Sequence, residues 1–66
     1  MNLISIKYKE LSNFEKRIVR NAFINRFGSR KAFYNLLNGN IDDLYMWIFI
    51  QKQIEIVINR RESFQK

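Results

Sequence analysis

Glycine and proline constrain the fold of this chain more than any other feature. Proline is absent, and the only two glycines are Gly28 and Gly39. Because these residue types interrupt helices and strands most strongly, we expect the chain to turn at these two points. The pattern predicts long regular elements joined by short turns, within one domain that covers residues 1–66.

The segment before Gly28 has the periodicity of an amphipathic helix. Ser12 and Glu15 have the spacing of a capping box, in which each side chain accepts a hydrogen bond from the other residue's backbone N–H. Five apolar residues then fall on one helical face: Phe14, Ile18, Ala22, Phe23 and Phe27. We predict a helix over residues 13–27, ended by Gly28 in the left-handed conformation.

Two further helices are predicted after the first glycine. Ser29 is placed to cap a helix over residues 29–38. Asn40 and Asp43 have the spacing of a helix start, and the acidic residues there complement the positive end of a helix dipole. The third helix is therefore predicted over residues 41–52.

Both ends of this three-helix region have the two-residue periodicity of β-strands. Apolar and polar residues alternate over residues 3–9, and β-branched residues recur over residues 54–60. The two segments could pair as a two-stranded β ribbon, which gives a mostly α fold with the order β-α-α-α-β. The competing interpretation is one long third helix whose surplus apolar face forms a dimer.

The charge and the missing residue types limit the function classes. Twelve Lys and Arg stand against six Asp and Glu, which gives a net charge of +6. Such a balance is typical of proteins that bind phosphate or an acidic surface. The chain has no histidine and no cysteine, which excludes imidazole catalysis, disulfides and thiolate zinc sites. We therefore expect no enzyme, no metal and no cofactor.

The sequence also indicates where the protein works. The longest apolar run, Leu44 to Ile50, has seven residues, whereas a membrane-spanning helix needs about 18. No signal-peptide pattern precedes it, so we expect a cytoplasmic protein without a membrane partner. Ile, Asn, Lys, Phe and Tyr make up half of the residues, which is typical of AT-rich genomes and indicates a bacterium, including one infected by a phage.

Residues 23–39 carry a recognisable pattern. Phe23-Ile24-Asn25-Arg26-Phe27-Gly28 is followed by Ser29-Arg30-Lys31-Ala32-Phe33-Tyr34-Asn35-Leu36-Leu37-Asn38-Gly39. This segment resembles the helix-turn-helix of lambda-repressor-like proteins, of the Cro and phage-repressor type. Gly28 directly precedes Ser29, so the turn is one residue shorter than the family's. The resemblance implies a small transcriptional regulator that binds double-stranded DNA as a homodimer, with helix 29–38 in the major groove.

The resemblance implies a set of DNA-binding residues on the second helix of the motif: Ser29, Arg30, Lys31, Tyr34, Asn35 and Asn38. Arginine can bind guanine edges, asparagine can bind adenine edges, and tyrosine or serine can bind phosphate. Other basic residues are candidate phosphate contacts: Arg17, Arg20, Arg26, Arg60 and Arg61.

A second hypothesis comes from the aromatic and isoleucine-rich C-terminal half. In this interpretation the chain is a protein interaction module, for example a phage-encoded inhibitor with a protein partner. Four residues are candidates for a dimer or partner interface: Trp47, Ile50, Ile54 and Ile58. Reversing the charges of Arg30 and Lys31 would abolish DNA binding and leave this second activity largely intact.

Overall fold

The chain folds into four helices. The structure is a computed structural model that describes residues 3–64, with the side-chain surroundings of residues 3–61. The helices are α1 (Leu3–Lys9), α2 (Asn13–Phe27), α3 (Arg30–Leu37) and α4 (Leu44–Phe64). α4 contacts both α1 and α2, and α2 contacts α3.

Local interactions fix the ends of α2 as the sequence predicts. The Ser12 hydroxyl accepts the N–H of Glu15 at 3.1 Å, and the Glu15 carboxylate accepts the N–H of Ser12 at 3.0 Å. This capping box satisfies two N–H groups near the start of the helix. At the other end, Gly28 has φ of 76° and its N–H donates to the carbonyl of Ile24. Both predicted ends are confirmed.

α3 begins and ends at residues that the sequence singles out. The Ser29 hydroxyl accepts the N–H of Ala32 at 3.1 Å, and Gly39 has φ of 83°. After this turn, the carbonyl of Asn35 accepts the N–H of Asn40 at 2.8 Å. The next helix starts later than predicted, at Leu44, because Asp43 is the residue that accepts a first-turn N–H, that of Met46.

The first correction concerns residues 3–9, which form helix α1 and not a strand. Tyr8 is buried and Ile4, one helical turn earlier, packs against the core, whereas Lys7 and Lys9 are exposed. In so short a segment, Ile4 and Tyr8 fit a helical period of four as well as an alternating one. The predicted β ribbon therefore lacks its first strand.

The second correction concerns residues 54–60, which continue α4. The buried residues of this helix follow helical spacing of three or four: Trp47, Ile50, Ile54 and Val57. A continuous helix here has a surplus apolar face, and α1 covers part of that face by packing on α4. The long-helix interpretation is the correct one, and no strand occurs among residues 3–64.

Aromatic rings hold α3 against α2. Phe23 and Phe33 are fully buried, with ring centroids 5.2 Å apart in an edge-to-face arrangement. Such pairs add about 0.5–1.5 kcal/mol to the stabilisation from burial. Phe14, placed on the apolar face of α2 by its spacing, is instead 71% exposed. The buried residues of α2 are Val19 and Phe23, and Val19 comes five positions after Phe14, which is about 140° around a helix.

Candidate nucleic-acid interface

One side of α3 is buried in the core and the other side is exposed to solvent. Phe33 and Leu36 are fully buried, which turns the opposite side of this helix outward. Arg30, Tyr34 and Asn38 follow one another at intervals of four residues along the outer side, and all three are exposed. The resemblance and the burial pattern therefore select the same side of α3.

The other predicted residues differ in their exposure. Lys31 is exposed next to Arg30, and Asn35 is half-buried. Ser29 is also half-buried, and its hydroxyl accepts the N–H of Ala32. Its first role is to cap α3, which fixes the direction in which Arg30 and Lys31 leave the turn.

Arg20 of α2 extends this surface beyond α3. Its Nη1 donates to the Tyr34 hydroxyl at 3.4 Å, and its Nε is buried without a hydrogen-bond partner among the described residues. The Tyr34 ring is itself held edge-to-face on Phe33, with centroids 5.5 Å apart. The guanidinium is thus held at the side of α3. The sequence offered no signal for this contact, because Arg20 and Tyr34 lie on different helices.

Tyr8 of α1 contacts both α2 and α3 in this region. The Tyr8 hydroxyl donates to the carbonyl of Lys16 in α2 at 3.4 Å, and its ring lies edge-to-face on Phe33 at 5.4 Å. Burial raises the pKa of Tyr8 above its usual value of 10, although the charge of Arg20 partly offsets this effect. Tyr8 therefore remains a neutral hydrogen-bond donor at physiological pH.

Positive charge concentrates in α2 and α3. Residues 13–38 contain six of the twelve basic residues but only one of the six acidic residues. Arg17 is exposed one turn before Arg20, on the same side of α2. Arg26 is exposed beside the turn, with its guanidinium carbon 5.3 Å from the centre of the Phe27 ring. Such a concentration of charge attracts polyanions from solution.

The two arginines near the end of α4 lie elsewhere. Arg61 binds the Glu15 carboxylate through both Nε, at 2.9 Å, and Nη2. Glu15 is twelve residues before the end of α2, which is about 18 Å along the helix axis. Arg60 is exposed and lines a cleft with Phe14. The structure therefore places both arginines apart from the turn that carries Arg30.

The ion pair changes the chemistry of Glu15. The hydrogen bonds that Arg61 donates lower the pKa of Glu15 to about 2, and the N–H of Ser12 contributes to the same effect. The carboxylate is therefore ionised at all physiological pH values. This pair joins the start of α2 to the end of α4, a structural role that the sequence did not indicate.

The residues proposed as a dimer or partner interface lie inside the molecule. Trp47, Ile50 and Ile54 are buried, and Ile58 is partly buried against the same core. They contact other helices of the same chain, so they offer no continuous surface to a partner in this fold. The exposed apolar residues of α4 lie on another side of the helix.

The chain matches no protein-family model, no curated protein and no solved structure at a significant level. Residues 3–64 contain no helix that is both long enough and apolar enough to cross a bilayer. In the same range, no three acidic residues come together as metal ligands.

Proposed function

We propose that this protein binds double-stranded DNA through α2 and α3 and acts as a small transcriptional regulator. One observation carries the proposal: Arg20 of α2, which is half-buried, donates to the Tyr34 hydroxyl on the exposed side of α3, so basic residues of α2 lie beside that side. Arg17 is exposed one turn before Arg20. The resemblance of residues 23–39 to a helix-turn-helix supports the same conclusion.

In this proposal α3 enters the major groove. The groove is about 12 Å wide, which admits a helix about 10–12 Å in diameter. The eight residues of α3 extend about 12 Å along the groove, which is enough to reach a few base pairs. Arg30 is the main base-contacting residue in this proposal. It lies at the start of the helix, and its guanidinium can bind the O6 and N7 atoms of guanine. Arg17 and Arg20 bind the phosphates of one strand and fix the orientation of α3.

The interaction-module hypothesis receives less support. It named Trp47, Ile50, Ile54 and Ile58 as the interface, and the first three of these are buried. Sequence-independent binding driven by charge alone is the remaining rival. Specific binding depends on particular side chains of α3, whereas binding by charge alone depends only on the number of positive charges.

The test is selection of the purified protein against a random pool of duplex DNA over a salt titration, with sequencing of the retained fraction. A specific DNA-binding protein enriches a short motif that survives near-physiological salt, whereas binding by charge alone enriches nothing and weakens steeply with salt. Enrichment of no motif at any salt concentration would refute the proposal.

Matched variants identify the surface. Arg30→Gln with Lys31→Gln removes two positive charges from α3, and glutamine preserves the helix. Lys7→Gln with Lys52→Gln removes the same charge from exposed positions outside the candidate interface. We expect the first pair to weaken binding to the selected motif about 100-fold or more and to lower the salt slope by about 2. The control pair should change affinity only slightly, and equal losses in both pairs would contradict the proposed surface.

A further inference from the structure

Arg20 differs from the other arginines of α2 because its guanidinium is partly enclosed. Arg20 is half-buried, whereas Arg17 and Arg26 are exposed. Its Nη1 donates to the Tyr34 hydroxyl at 3.4 Å, and its Nε is buried without a hydrogen-bond partner among the described residues. Arg17, one turn earlier, makes no hydrogen bond with those residues. The structure therefore restrains Arg20 more than Arg17.

The enclosure of Arg20 has a cost that a role in solubility does not explain. Long basic side chains usually keep their charged ends in water. A buried N–H group without a partner has lost its hydration, and this loss destabilises the fold. Such a group in a folded protein requires an explanation. An arginine that served only to keep the protein soluble would extend into the solvent.

The Tyr34 hydroxyl that binds Arg20 is attached to the core. The Tyr34 ring packs edge-to-face on Phe33, with centroids 5.5 Å apart, and Phe33 is fully buried. Tyr8 packs on the same ring at 5.4 Å. Burial raises the pKa of Tyr8 and the charge of Arg20 lowers it, so the guanidinium lies close to Tyr8 as well. The protein alone therefore fixes the place of Arg20, before any ligand binds.

Most N–H groups of Arg20 remain available to a ligand. A guanidinium has five N–H donors. The Nε–H is buried, and Nη1 uses one of its two on Tyr34. Nη2 is not buried in this way and bonds none of the described residues. Tyr34 is 42% exposed on the outer side of α3, so these donors lie beside the side that we propose faces DNA. Two adjacent donors of this kind match the oxygens of a phosphate.

We propose that Tyr34 positions the Arg20 guanidinium to bind a backbone phosphate of DNA, and that the Tyr34 hydroxyl acts through Arg20. This inference rests on the proposed function, and it replaces the direct phosphate contact considered for Tyr34. A side chain that is already restrained loses less conformational freedom on binding. The phosphate contact then fixes the orientation of α3 and carries no sequence information.

The restraint on Arg20 can be measured without DNA. In nuclear magnetic resonance of the full chain, the Nε–H of Arg20 should exchange with water at least about tenfold more slowly than that of Arg17, because it is buried. Tyr34→Phe should remove most of this difference, since the ring is retained and only the hydroxyl is lost. Equal exchange rates for the two arginines in the wild-type protein would overturn the inference.

Affinity for the selected DNA motif tests the function of the restraint. Tyr34→Phe and Arg20→Lys should each weaken binding about 3–10-fold, because a lysine lacks the planar fork of donors. The matched control Arg17→Lys should stay within about twofold, since Arg17 is not restrained. None of these changes alters the net charge, so the salt slope should not change. The selected motif should also be the same, and urea unfolding verifies that each variant folds.

A double-mutant cycle separates positioning from direct contact. If Tyr34 acts through Arg20, Tyr34→Phe combined with Arg20→Lys binds no more weakly than Arg20→Lys alone. Losses that multiply would show that Tyr34 contacts DNA independently, which overturns the inference and leaves the proposed function intact. A changed motif in Tyr34→Phe would make Tyr34 a base contact and overturns it as well. If the wild-type protein selects no motif, the proposed function fails, and the inference fails with it whatever the exchange rates are.

Discussion

Replacing Glu15 with glutamine isolates the charge that joins the start of α2 to the end of α4. Glutamine is equally suited to this position of a capping box, so the hydrogen bonds with Ser12 are retained. The variant removes the negative charge that binds Arg61 and that favours the N-terminus of a helix. The comparison therefore reports on electrostatics and not on the loss of the cap.

The expected loss in free energy of unfolding at pH 7 is about 1 kcal/mol. A carboxyl pKa lowered from 4.5 to about 2 would correspond to about 3 kcal/mol if the pair were fully shielded from water. The Arg61 side chain is 46% exposed, while that of Glu15 is 12% exposed, so solvent screens much of this energy. In a domain of this size, 1 kcal/mol lowers Tm by about 4–8 °C.

The loss should depend on pH in one direction. The pKa of Glu15 is lower in the folded state than in the unfolded state, so its contribution is fully present above the unfolded pKa of 4.5. It disappears as the pH falls through 4.5 toward 2, because the unfolded chain then binds the proton first. Glutamine does not titrate. The difference between the two proteins should therefore shrink from about pH 5 downward.

Urea unfolding followed by tryptophan fluorescence measures this difference, because Trp47 is the only tryptophan and is buried. Arg61→Gln and the variant with both changes complete a double-mutant cycle, with an expected coupling of about 0.5–1 kcal/mol. The reasoning is refuted if the two losses simply add. It is also refuted if Glu15→Gln is as destabilising at about pH 2 as at pH 7.

Three further predictions concern the packing of the helices, and all use the same unfolding assay. Ile54→Ala should cost about 2–5 kcal/mol because Ile54 is buried, whereas Ile56→Ala should cost less than about 1 kcal/mol because Ile56 is exposed; similar losses would argue for a strand. Gly28→Ala should cost about 1–2 kcal/mol through positive φ alone, since an added Cβ would meet no atom within 4 Å; an unchanged stability would contradict this. Ser29→Ala should cost about 1 kcal/mol by removing the cap of α3, and Ser29→Asp, which can still cap, should cost much less.

The helices that carry the candidate interface were predictable because their ends are determined locally. Ser12, Ser29 and Gly28 interact with residues three or four positions away, and such interactions do not depend on the rest of the fold. Once Phe33 is assigned to the core, helical spacing predicts which side of α3 is exposed.

The structure of residues 3–9 and 54–60 was harder to predict, because the local conformational preference and the packing disagree there. The β-branched residues over 54–60 favour a strand when taken alone. Burial of Ile54 and Val57 against the core favours a helix, and packing prevails because it removes more apolar surface from water. The contact between Arg20 and Tyr34 depends on how two helices cross, which no spacing along one helix determines.

The order in which the helices are made has a consequence for biosynthesis. α4 supplies the surface on which α1 and α2 pack, and it is the last of the four to leave the ribosome. Until Ile50, Ile54 and Val57 have emerged, the aromatic residues of α2 and α3 have an incomplete core. We therefore expect α1, α2 and α3 to complete their packing only when α4 is available. A product truncated before residue 50 lacks these three core residues, and we expect proteases to cleave it readily.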